Sequence, residues 1–99
     1  MRTAFTLAVL TLAATAALAD TKVEDAYYAG VAAQKCGMEL SAEQSSLLGD
    51  AVQRAEQASG LSADDLDGLW IKVNAEADAD SAAFCDAHTR DVKSALAAQ

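Results

Sequence analysis

The chain has no proline, so the commonest breaker of helices is missing from all 99 residues. Its β-branched residues never run together, which removes the ordinary signature of strands. Basic residues are scarce, seven Lys and Arg against fifteen Asp and Glu, and the formal charge of −8 repels phosphate backbones and anionic lipid. The charge therefore argues against nucleic-acid and membrane-surface roles and favours solubility, and a partner, if there is one, is expected to be an unidentified protein, a basic one being compatible with this charge. Histidine occurs once, at His88, and no Cys-x-x-Cys-His stretch for haem attachment exists. What remains is alanine-rich, and that composition points to an all-α chain.

The N-terminus reads as a targeting segment. Arg2 supplies a positive charge, Ala4 to Ala19 is an unbroken run of small, apolar and Thr residues, and Ala17-Leu18-Ala19 is the small-x-small pattern of a cleavage site. The competing reading is an uncleaved membrane anchor, but the run is shorter than the ~20 residues that span a bilayer and no basic cluster follows it. The division expected is a signal peptide over 1–19 and one helical domain over 20–99. Removing 19 of 99 residues leaves 80, and the loss of Arg2 moves the charge from −8 to −9. No second apolar run is long enough to span a membrane, so the expected product is soluble and periplasmic or secreted.

Two cysteines, Cys36 and Cys85, are all the chain has. An even count in a short exported protein reads as a disulfide, and two cysteines allow a single intramolecular pairing. Eighty residues lie near the lower limit for a self-sufficient core, so this bond is expected to carry much of the stability.

Start and stop signals divide the rest into helices. Thr21 and Glu24 stand in capping-box spacing; Val23, Tyr27 and Val31 follow on one stripe, and Gly37 is placed as the stop after Cys36. Tyr27 is expected inside and its neighbour Tyr28 at the rim. Ser41 with Gln44 opens a second helix whose Leu47, Leu48, Ala51, Val52 and Ala55 recur at helical spacing up to Gly60. Gly49 falls inside it, and close helix packing is the expected reason. Ser62 with Asp65 opens a third, with Leu61 and Leu66 spaced as a hydrophobic staple. Leu40-Ser41-Ala42-Glu43 and Leu61-Ser62-Ala63-Asp64 are alike, but two copies do not make a solenoid. Asp78-Ala79-Asp80-Ser81 is read as a break, with Asp80 or Ser81 capping a fourth helix that carries Phe84, Cys85, His88, Val92 and Leu96. One continuous helix would also keep the stripe in phase. The fold class is a small bundle of three to four short helices stapled by one disulfide, with Val31, Leu40, Leu48, Val52, Leu66, Leu69, Trp70, Val73, Phe84 and Val92 facing inward.

Candidate chemistry is sparse. A Cys85–His88 dyad requires the disulfide to be absent, so no catalytic residue is assigned, no enzymatic activity is expected and no cofactor is implied. Cys36, Met38, Cys85 and His88 form a soft donor set suited to Cu(I), the alternative should the thiols be free. Glu76, Asp78 and Asp80 alternate like the start of a calcium loop but lack its Gly and Glu in either register. Tyr28, Ile71 and Met38 fall off the tidiest stripes and are candidates for an exposed apolar interaction patch. A homo-oligomer is compatible with such a patch.

The frame of a leader, a helical domain under a hundred residues and the pair Cys36 and Cys85 resembles the periplasmic acid-stress chaperones of the HdeA type. The resemblance covers size and cysteine frame. It implies a disulfide across two helices and client binding when acid exposes apolar surface. The reading reached from the residues is an exported, disulfide-bonded binding or accessory protein, with the acid-stress chaperone and the copper carrier as alternatives.

Overall fold

Ser41, Ser62 and Asp80 set where three of the helices begin. In the computed structural model, which describes residues 22–98, helix α1 covers 22–35. It is followed by α2 (Ala42–Ser59), α3 (Ala63–Ala79) and α4 (Ser81–Ala97). Among the described residues there is no strand. The expected leader at 1–19 and the cap at Thr21 lie outside the described residues.

Each boundary has a local cause. The Ser41 hydroxyl accepts from the Gln44 backbone N–H at 3.1 Å while the Gln44 side chain accepts from Ser41 N–H at 3.0 Å, a complete capping box. The Ser62 hydroxyl caps α3 through the Asp65 N–H. Gly37 and Gly60 end α1 and α2 with φ of +64° and +71°, a left-handed backbone that glycine adopts without the strain other residues incur. The expected break at 78–81 is present. Asp80, at φ −153° and ψ 88°, closes α3 through its own N–H to the Glu76 carbonyl and opens α4 by accepting from Ala83 N–H at 3.1 Å.

Helix α1 is the centre of the bundle. Val23, Tyr27 and Val31 are buried as their spacing predicts, but so are Ala29 and Ala32. A face that wide needs more than one neighbour, and α1 touches all three other helices. A Cβ built on Gly30 would lie 3.6 Å from Val52 of α2 and 3.9 Å from Trp70 of α3. Tyr28 stacks on His88 of α4. Helix α4 packs against both α2 and α3. Leu48, Val73, Ala77, Phe84 and Val92 complete the buried core, whereas Leu40, Val52, Leu66, Leu69 and Trp70 pack against it only partly buried.

Cys36, just past α1, is bonded to Cys85 of α4 across 49 residues, with Cα atoms 5.6 Å apart. On the chain-entropy model a loop of that length removes about 4 kcal/mol of denatured-state freedom. The disulfide fits an oxidising, non-cytoplasmic compartment. Polar ties add to it: Tyr28 to Glu76 at 2.6 Å and Lys35 to Asp78 at 2.7 Å both join α1 to α3. No described helix is long and apolar enough to cross a membrane.

Candidate functional site

The bundle leaves a concave face beside α1. One wall is small: Gly30 and Ala33 of α1 stand a turn apart, next to Gln34. The opposite wall is α2, whose Ser45, Leu48, Gly49 and Val52 look across. Met38 and Leu40, in the connection from α1 to α2, and Trp70 of α3 complete the lining. The cleft encloses about 340 Å³, within the roughly 300–1,000 Å³ typical of ligand sites. Small side chains on α1 let α2 and α3 approach but do not fill the space between them. At Gly49 a Cβ would meet no heavy atom within 4 Å. The expected close packing at Gly49 is therefore not its reason.

Val52 and Trp70 also line a second hollow of about 470 Å³, together with Tyr27, Glu56, Ala63, Leu66 and Asp67. The two hollows thus adjoin at Val52 and Trp70, and the second carries the carboxylates of Glu56 and Asp67. Tyr27 anchors the junction. Its ring meets Trp70 edge to face at 5.2 Å, and its hydroxyl donates to Glu56. Burial, and then the bond to Glu56, push the Tyr27 phenol above its ordinary range, so it remains a neutral donor.

The residues singled out in the sequence are distributed differently. Cys36 and Cys85 are joined, so neither offers the thiolate that the copper set requires, and Met38 lines the cleft. Among the described residues no group of three or more His, Cys, Asp and Glu converges as metal ligands. His88 is a core-edge residue: its ring lies 4.1 Å from Tyr28 and 4.7 Å from Phe84, and its Nδ1 is 2.8 Å from Asp91. Glu76 accepts from Tyr28, Asp78 pairs with Lys35 and Asp80 caps α4, so the three acidic residues have three separate partners.

Tyr28 and Ile71 do not share a role. Ile71 is 59% exposed, as expected of a patch residue, whereas Tyr28 is half-buried between α4 and Glu76. Gly49 and Trp70 stand out in the sequence, but as a packing position and a core residue and not as lining of a cleft. The available signal was a glycine inside α2, at the edge of its apolar stripe. Asp25 is a further quiet feature: partial burial, then Asp91 and Glu24, raise its carboxyl above the ordinary range, with His88 pulling the other way.

No protein-family model, curated protein or solved structure matches the chain, so its function is argued from its own residues.

Proposed function

We propose that this is an exported, periplasmic or secreted, non-catalytic binding protein whose partner, a protein segment, seats apolar side chains in the cleft between α1 and α2. The observation that carries the reading is the cleft itself, an open volume of about 340 Å³ walled by Met38, Leu40, Leu48, Val52 and Trp70 in a domain with little core to spare. Methionine and leucine walls adapt to varied apolar partners. The groups that could serve covalent or acid–base chemistry are otherwise engaged: both sulfurs are bonded to each other and the imidazole is stacked and paired.

Trp70 is the single tryptophan and stands at the cleft, so its emission reports occupancy. A short amphipathic peptide with leucines one helical turn apart and glutamines as its polar residues should shift and saturate that emission. A flat titration, with the protein folded, rejects the reading.

A second reading is favoured by the Cys36–Cys85 link between the end of α1 and α4 together with fifteen carboxylates. By its resemblance to the HdeA type, the chain would act as an acid-triggered chaperone. As pH falls the carboxylates neutralise and the charge becomes positive. At about pH 2–3 such a protein loosens, binds apolar dye and suppresses client aggregation. A chain that stays folded and inert there is not one.

A further inference from the structure

We propose that the acidic hollow, at Glu56 and Asp67, takes a lysine or arginine side chain of the partner segment, so that the occupant is an apolar amphipathic stretch with a basic residue beside its anchors. This rests on the binding role proposed above and adds the chemistry of the partner.

Three observations carry it. The apolar and acidic hollows share Val52 and Trp70, so one segment laid along α2 meets both. Glu56 comes from α2 and Asp67 from α3, yet they line the same hollow, and no basic residue lines either hollow. The ion pairs Lys35–Asp78, Lys72–Glu24 and His88–Asp91 engage other carboxylates. Glu56 already accepts from Tyr27 through one oxygen, which fixes its carboxylate and leaves acceptor capacity on the other. Trp70 stands between the hollows, where its ring offers a surface for an aliphatic stem or a cation. The chain's charge of −8 adds attraction at long range and raises the rate of encounter.

The test uses three peptides of the same leucine frame, differing only in whether the polar residue after the last leucine is lysine, glutamine or glutamate. Trp70 emission reads their affinities for the wild-type protein and for the double variant Glu56→Gln, Asp67→Asn. The lysine peptide should bind about tenfold tighter than the glutamine peptide, and the glutamate peptide weakest. In the double variant the lysine advantage should collapse to about twofold or less while the glutamine peptide binds as before. Glu56→Gln keeps an oxygen that can accept from the Tyr27 hydroxyl and Asp67 is exposed, so both proteins should stay folded, which circular dichroism verifies. Equal affinity for lysine and glutamate peptides overturns the proposal. So does a lysine advantage that survives the double variant, since net charge alone then explains it. Glutamine-peptide binding without any lysine preference leaves the cleft standing and removes only the basic partner. Failure of all three peptides removes both.

Discussion

Gly49 occupies a helical position where a Cβ would meet no heavy atom within 4 Å, and helices lose about 1 kcal/mol by having glycine there instead of alanine. Gly30 differs, since a Cβ there would reach ordinary contact with Val52 and Trp70. At the same scale Asp25 illustrates a small electrostatic cost. Its carboxyl lies near Asp91 and Glu24, and its pKa is raised on folding. The native state therefore binds this proton more tightly than the unfolded chain, so ionisation at neutral pH disfavours the fold, and the cost is relieved as pH falls through the raised native pKa. Asp25→Asn should stabilise the protein at neutral pH by at most about 0.5 kcal/mol, because solvent screens an exposed carboxyl. Urea midpoints at pH 7 should show the gain and midpoints below the native pKa should not; an equal gain in acid refutes the cause given. None of this was readable in the sequence, where Asp25 and Asp91 lie 66 positions apart.

Among the elements, the capping residues were the most legible feature because they act within one turn. Ser41 with Gln44, and Ser62 before Asp65, form the bonds their spacing implies. The break between α3 and α4 was harder. A stripe from Leu66 to Phe84 stays in phase whether or not the helix stops, so periodicity alone was silent. Asp80 decides it by serving both ends. Its side chain holds the Ala83 N–H, and Asp80→Ala should cost about 1 kcal/mol of stability, with Asp80→Asn retaining most of it. Chemical denaturation of the pair checks this, and an alanine variant equal to wild type would mean the cap is idle. The width of the α1 face was not legible. A stripe of Val23, Tyr27 and Val31 marks one contact side, whereas burial of Ala29 and Ala32 depends on three helices surrounding α1.

For the whole molecule, a few large apolar residues and one disulfide hold four helices together. The pairing of Cys36 with Cys85 was legible from count and context, since two cysteines permit one internal bond. The cleft was not, because it arises from the angles between α1, α2 and α3, which no single stretch encodes. Loss of the bond should be felt everywhere. Small domains have about 5–15 kcal/mol in total, and Cys85→Ser should remove about 4 kcal/mol of it. Thermal melting should show a large drop in midpoint, and a midpoint unchanged by reduction would mean the helices hold themselves.

The claim on which the functional account turns is that the space beside Gly49 is a binding site. Gly49→Leu isolates it, because a Cβ there meets no heavy atom within 4 Å and leucine improves helix propensity, while the longer side chain intrudes on the cleft that Gly49 lines. Thermal melting and the Trp70 titration with the glutamine peptide should be run on the same sample. The account predicts a melting midpoint equal to or above wild type together with an affinity reduced by about tenfold or more. Undiminished affinity in a folded Gly49→Leu protein would contradict it.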